Sequence, residues 1–185
     1  MPRLFTGIEI PEDLAQRLSL LRGGLAGARW IDAENYHVTL RFIGDIDDRT
    51  ADEVADALAR VRRREFDLQV AGLDSFGSSK PHSLVARIAP SRALSELQAE
   101  HERILQRIGL PPEGRKYTPH VTLARLRGTP HRDVADYLAS RGGLASTAVF
   151  HASRFVLYSS KASTGGGPYV IEQTYPLAEL TEVRG

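Results

Sequence analysis

Two copies of one tetrapeptide, His37-Val38-Thr39-Leu40 and His120-Val121-Thr122-Leu123, carry the residue types best suited to acid–base chemistry in this chain. Histidine is the side chain whose ordinary pKa puts both protonation states within reach near neutral pH. Two imidazoles on opposite sides of one reacting atom divide the labour: a neutral one takes a proton from water, and a protonated one gives a proton to a leaving oxygen. A threonine hydroxyl two residues on can hydrogen-bond a phosphoryl oxygen. The set suits in-line displacement at phosphorus. No carboxylate-rich cluster stands beside these histidines to hold Mg²⁺, and two histidines without a third ligand at sensible spacing do not make a zinc site. Neither a metal nor a cofactor is expected.

Both copies lie in apolar, β-branched runs and read as short strands. Side chains on a strand alternate between faces. His37 and Thr39 therefore share a face, with Val38 and Leu40 on the other, and His120 and Thr122 repeat the pattern against Val121 and Leu123. Two such strands side by side form a pocket with two imidazoles and two hydroxyls. The same parity puts Arg41 on the pocket face as a possible substrate contact and Ala124 there as a small residue leaving room for substrate. It assigns Phe42 to the core. Arg125, the other possible substrate contact, reaches the pocket only past a bulge or at the strand end.

The remaining elements must hold these two strands together. The sequence predicts a strand over Leu4–Ile10, then a helix from Pro11 with Leu14, Leu18 and Leu21 as its apolar stripe. A second helix is capped by Asp47 or Asp48 and buries Val54, Leu58 and Val61. Strands follow over Phe66–Leu73 and Ser83–Ile88. The longest helix starts at Pro90-Ser91 and carries His101 on its apolar face, where a core histidine is expected. A last helix begins after Thr129, and two β runs, Ala148–Tyr158 and Tyr169–Leu177, end the chain. The link between those runs contains Gly165-Gly166-Gly167 and reads as a flexible hairpin loop, or a mobile lid. It is no P-loop, because no Gly-Lys-Ser/Thr follows. Arg62-Arg63-Arg64 ends a helix, where cations complement the dipole, and Arg115-Lys116 leads to the rim of the pocket. The motif copies are 83 residues apart, a weak internal repeat. Short links between β runs favour antiparallel sheets with outer helices. The expected fold class is α+β, one bilobal domain over residues 1–185.

Composition narrows the function classes. The 185 residues are 42% hydrophobic and 25% charged, ordinary for a globular protein. No cysteine is present, which rules out a disulfide framework and thiolate chemistry. No run approaches membrane-spanning length and none reads as a signal peptide, so a cytoplasmic protein away from membranes is expected; a monomer is the expected state. The net charge of +1 does not announce a polyanion binder, although only three of the 24 basic residues are lysine. Arginine suits bidentate phosphate contacts.

The chain resembles the 2H phosphoesterase superfamily, named for two His-x-Thr/Ser-x motifs, and within it the bacterial and archaeal RNA 2′,3′-cyclic phosphodiesterases, also called 2′-5′ RNA ligases. The resemblance rests on Leu4-Phe5, the Ile8–Pro11 stretch, Arg29-Trp30, the run from Asn35 to Gly44, the run from Tyr117 to Arg125, and Phe155–Ser160, and so spans essentially the whole chain. It implies a bilobal fold with the motifs facing each other across a cleft. It also implies an RNA 3′ end, or a cyclic nucleotide, as substrate. The 2′,3′-cyclic phosphate would open to a 2′-phosphomonoester, with His37 as general acid, His120 as general base, and Thr39 and Thr122 holding phosphoryl oxygens. The same acid–base pair could serve 2′-5′ ligation in reverse. An RNA-end-binding module without turnover is the alternative from another class.

Overall fold

The structure, a computed structural model, describes residues 3–144, 148–160 and 167–179. Its elements run β1 (Arg3–Glu9), α1 (Glu12–Ser19), β2 (Ala28–Trp30), β3 (His37–Asp45), α2 (Asp48–Leu58), β4 (Phe66–Phe76), β5 (Ser83–Ile88), α3 (Arg92–Arg107), β6 (His120–Leu126), α4 (His131–Arg141), β7 (Val149–Ala152), β8 (Arg154–Ser160) and β9 (Tyr169–Pro176). Residues 161–166, with most of the predicted glycine loop or lid, lie outside the described residues.

Among the described residues the strands form one nine-stranded sheet in the order β7-β4-β5-β6-β3-β1-β8-β9, with β2 added beside β6. The named pairings are antiparallel. The two motif strands, β3 and β6, are central neighbours, yet only Val38 and Val121 pair across their junction. The lobes meet there and splay on either side. The C-terminal hairpin β8–β9 pairs with β1, so the lobe around His37 is built from both chain ends.

The predicted strand 148–158 is two strands. Ser153 alone separates β7, paired with β4, from β8, paired with β1. A one-residue link spans only a few ångströms, so the two ends of the strand order must curl toward each other. The backbone closes that seam: Leu177 N–H donates to the Ser153 carbonyl and Glu65 N–H to the Ala178 carbonyl, each at 2.9 Å.

Helix starts follow their capping chemistry. The Asp47 carboxylate accepts from Thr50 N–H at 2.7 Å and the Ser91 hydroxyl from Leu94 N–H at 3.2 Å. Pro130, expected as the first helical residue of α4, is its N-cap instead. Helices α1–α3 pack on one face of the sheet. There Val38, Val121 and Leu123 are fully excluded from solvent beside Val54, Leu58, Leu94 and Leu97, and each aliphatic side chain so buried contributes about 1.5–3 kcal/mol. A second cluster joins α4 to β5 and β6 through Leu84, Ala124, Leu126, Val134 and Tyr137.

Each motif strand carries a bulge at the same place. On β3, Thr6 pairs with Arg41 and Gly7 with Thr39, leaving Leu40 as the extra residue. On β6, Leu84 pairs with Ala124 and Val85 with Thr122, leaving Leu123 extra. An extra residue inverts the alternation that follows it, and three parity expectations are corrected. Arg41 turns into the helix layer, 6% exposed. Ala124 turns the same way and is fully buried, so it frees no room for substrate. Phe42 swings out, 48% exposed, and is not core. By the same inversion Arg125 comes round to the face of His120 and Thr122.

Candidate active site

His37, Thr39, His120, Thr122 and Arg125 line one cavity of about 210 Å³ on the open face of the sheet, together with Phe5, Asn35, Phe42 and Tyr169. The Val38–Val121 register sets His37 opposite Thr122 and Thr39 opposite His120, an approximate two-fold arrangement about the valine pair. Tyr117, just ahead of the second motif, donates its hydroxyl to the Thr39 carbonyl at 2.8 Å and ties the two strands together.

Both imidazoles are held the same way. His37 Nδ1 lies 2.9 Å from the Asn35 carbonyl and His120 Nδ1 lies 2.8 Å from the Thr118 carbonyl. A carbonyl only accepts, so each Nδ1 carries the proton and each neutral ring has a bare Nε2. The holder is the backbone two residues upstream in both cases. Pro119 favours an extended Thr118, as this contact requires. His37 Nε2 accepts from the Thr39 hydroxyl at 3.0 Å.

The surroundings of the two rings differ. His37 sits in an aromatic box, with ring centroids of Phe5 at 4.9 Å, Tyr169 at 5.1 Å and Tyr158 at 5.4 Å. Gly7 makes this possible: a Cβ there would stand 2.8 Å from the Val38 carbonyl oxygen and 3.2 Å from the Tyr158 ring. Among the described residues His120 has one aromatic neighbour, Phe76, edge-on at 4.8 Å. Burial, opposed by the Asn35 carbonyl and reinforced by His120 and Arg125, pushes the His37 pKa down to about 4. Burial and Arg125 also lower that of His120, against the Thr118 carbonyl. Both rings are therefore neutral in the free protein at pH 7, with two basic nitrogens facing a shared space and a guanidinium beside them.

The residues singled out from the sequence divide cleanly. His37, Thr39, His120, Thr122 and Arg125 are brought together. Arg41 is not: its Nε lies 2.6 Å from Glu102 Oε2, and its other nitrogens donate to the carbonyls of Phe42 and Pro111. His101 is a core histidine, its Nδ1 3.0 Å from the Thr6 hydroxyl. Arg115 and Lys116 line a neighbouring cavity of about 420 Å³ that shares Thr39, Phe42, His120 and Arg125 with the first. Sequence reasoning missed Phe42, Phe5 and Tyr169. Phe5 was legible as a neighbour of Gly7 on one strand face, but Phe42 depends on the bulge. Among the described residues no group of three His, Cys, Asp or Glu side chains is arranged to hold a metal ion, and no helix is long and apolar enough to cross a membrane.

Known proteins resemble this chain in sequence and in fold. A family model described as LigT like phosphoesterase matches residues 8–86 and 88–169. A protein of Aeropyrum pernix named RNA 2′,3′-cyclic phosphodiesterase is 35% identical over 118 residues, covering 60% of this chain and 67% of that one. A protein of the same name from Methanocaldococcus jannaschii is 23% identical over 171 residues, covering 91% and 97%. Among solved structures, TT0787 of Thermus thermophilus superposes with a TM-score of 0.79 at 17% identity, over 97% of this chain and all of that one. Escherichia coli LigT, crystallised with 3′-AMP, gives 0.71 at 21% identity over 96% and 99%. With both motif strands inside the matched segments, the chain belongs to the LigT-like phosphoesterase family.

Proposed function

We propose that this phosphoesterase opens the 2′,3′-cyclic phosphate at RNA 3′ ends to leave a 2′-phosphomonoester, with His37 and His120 as the acid–base pair and without a metal. The observation that carries the reading is the convergence of two Nδ1-anchored imidazoles, two threonines and Arg125 on one small cavity. The shared name of the relatives from Aeropyrum and Methanocaldococcus supports the substrate.

In the proposed cycle His120 Nε2 takes a proton from the attacking water while His37 Nε2–H protonates the departing 3′-oxygen. Thr39 and Thr122 donate to the non-bridging oxygens, and Arg125 balances the charge that builds on them. His37 must be protonated before the bond breaks, which its low pKa in the free protein opposes. The substrate supplies the remedy. One negative charge about 4 Å away, at an effective dielectric of about 20, is worth about 4 kcal/mol, or about three pKa units. A bound cyclic phosphate is thus enough to lift His37 from about 4 to near neutrality, so the acid is armed only when substrate is present.

The test is incubation with a 2′,3′-cyclic mononucleotide in excess EDTA, with the product isomer identified. A 2′-phosphate formed at an undiminished rate is expected. A 3′-phosphate overturns the regiochemistry. A rate lost to chelation and restored by Zn²⁺ or Mg²⁺ overturns the metal-free mechanism. Binding without turnover marks an RNA-end-binding module.

A further inference from the structure

Arg125 lines both the catalytic cavity and a further cavity of about 480 Å³ that the hydrolysis of a cyclic mononucleotide does not use. It is lined by Gly27, Arg29, His82, Arg125, Leu126 and Arg127. Three of the six are arginines and none is acidic. Strand register explains the cluster. Arg29 of β2 lies directly opposite Arg125 of β6, and opposed residues of antiparallel strands project from the same face. Ser83 of β5 flanks Arg125 on the other side, its hydroxyl accepting from Arg125 Nη1 at 3.4 Å and standing 3.0 Å from His82 Nδ1.

The floor is built without slack. Arg127 N–H donates to the Gly27 carbonyl at 3.0 Å. Gly27 has φ +77°, and a Cβ there would lie 2.4 Å from the Arg127 carbonyl oxygen. Only glycine fits, and the strand end that carries Arg127 is thereby fixed against the end of β2. Thr129 donates its hydroxyl to the Ala26 carbonyl at 2.7 Å and locks the same corner.

Charge distribution gives the cavity a ligand class. Four other arginines of this sheet are ion-paired: Arg3 with Asp45, Arg41 with Glu102, Arg87 with Asp74 and Arg154 with Glu9. Among the described residues neither Arg125 nor Arg127 forms an ion pair. Three arginines lining one cavity beside a phosphate-sized catalytic cavity suit a second phosphate. On a polynucleotide that group is the phosphodiester 5′ of the terminal ribose, the nearest anion to the reacting phosphorus. We propose that Arg29 and Arg127, with Arg125 shared between the two cavities, form a subsite for this penultimate phosphodiester, so that the enzyme selects polynucleotide ends over free cyclic mononucleotides. This rests on the reading of the site as a cyclic phosphodiesterase. The neighbouring cavity with Arg115 and Lys116 would give the chain a different exit, past a glutamate, Glu113.

The experiment compares a 2′,3′-cyclic mononucleotide with a trinucleotide ending in the same cyclic nucleotide, for the wild type, Arg127→Gln, Arg29→Gln, and an Arg115→Gln/Lys116→Gln variant. The wild type is expected to favour the trinucleotide in kcat/KM. Arg127→Gln and Arg29→Gln should each cut that preference roughly tenfold, with mononucleotide turnover unchanged. Each should also reduce the slope of log(kcat/KM) against log[salt] for the trinucleotide by a fraction of, up to about, one unit, as expected for one lost phosphate contact. Fluorescence anisotropy with a labelled trinucleotide bearing a 2′-phosphate reads the subsite without turnover and should show the same weakening. Equal loss on both substrates, no loss on either, or loss confined to the Arg115/Lys116 variant overturns the subsite. If no cyclic phosphate is hydrolysed at all, the cyclic phosphodiesterase reading fails. Weaker anisotropy binding in Arg127→Gln would then still uphold the phosphate subsite, and unchanged binding would overturn it.

Discussion

The two copies of His-Val-Thr-Leu have identical sequences and both lie on bulged strands, yet they make different sites. Both anchor Nδ1 on a carbonyl two residues upstream and both bulge at the leucine. They differ in the residues after the bulge and in the rings around the imidazole. After the first bulge the inward residue is Arg41 and the outward one Phe42; after the second the inward residue is Ala124 and the outward one Arg125. His37 is boxed by three aromatic rings contributed by both ends of the chain, whereas His120 meets one. The repeat sets tautomer and direction, and non-local neighbours set proton affinity. A two-fold scaffold thereby holds two imidazoles in unequal surroundings, as the proposed one-way proton transfer requires.

Removing either imidazole should produce the largest effect. His37→Ala and His120→Ala are each expected to lower kcat/KM by roughly 10²- to 10⁴-fold, the usual worth of a positioned acid or base. The double variant should lose less than the product of the two, because the residues act as a unit. A substrate whose leaving oxygen needs no protonation separates the roles. It should restore most of the rate to His37→Ala and little to His120→Ala, and the reverse pattern would exchange acid and base.

The next effect distinguishes the two arginines that follow the motifs. Arg41→Ala should destabilise the fold by about 3–5 kcal/mol, the cost of leaving a largely buried charge unpaired, while the folded fraction keeps its kcat. Partial burial acts to raise the Glu102 pKa, but hydrogen bonds from Arg41, Gln106 and the Glu113 amide outweigh it and pull it down to about 2. A depressed carboxylate stabilises the fold above its unfolded value near 4.5 and loses that contribution as pH falls toward 2. Arg41→Ala should therefore also flatten the acid limb of stability against pH in denaturant titrations. Arg125→Ala should do the opposite: an unchanged melting temperature and a roughly 10- to 100-fold loss in kcat/KM, the worth of one charge-assisted contact. Activity lost from folded Arg41→Ala and kept in Arg125→Ala would reverse the assignment.

Much of this site was legible because the chemistry is local. The motif strands, the pairing of His with Thr on one face, and the apolar Val38, Val121 and Leu123 all follow from alternation over three or four residues. Legibility ends at the bulge. Nothing in Thr39-Leu40-Arg41 or Thr122-Leu123-Ala124 announces an extra residue, because its cause is the register of β1 and β5, which come from elsewhere in the chain. Extending alternation across it sent Arg41 and Ala124 to the wrong face and Phe42 to the core. The single run 148–158 failed similarly. Its residues have strand propensity throughout, and only the curl of the sheet decides that Ser153 breaks it. The aromatic box depends on Phe5, Tyr158 and Tyr169, which are separated by most of the chain length and converge through β1–β8–β9 pairing.

The finest distinction between the copies is their titration. Both folded-state values lie below the ordinary histidine value of 6.5: burial lowers each, with His120 and Arg125 adding to it at His37 and Arg125 adding to it at His120. In the free enzyme kcat/KM should form a bell lying on the acid side of 6.5. The competent form has His37 protonated and His120 neutral, so the rate rises as the doubly protonated pair loses one proton and falls as it loses the second, and neither group holds a proton at pH 7. A group whose folded value is lowered also withdraws stability as pH falls below 6.5 toward that value, so the free protein should lose stability in acid. Titration of the ring resonances by NMR should find His37 near 4, below His120. Saturation with a 2′-phosphorylated mononucleotide should raise His37 by roughly three units, the worth of one phosphate charge at contact. Thr39→Val, which removes the donor that favours neutral Nε2, should raise His37 by a fraction of a unit and leave His120 where it is. If the phosphate moves His120 more than His37, the general acid is His120 and the copies have exchanged roles.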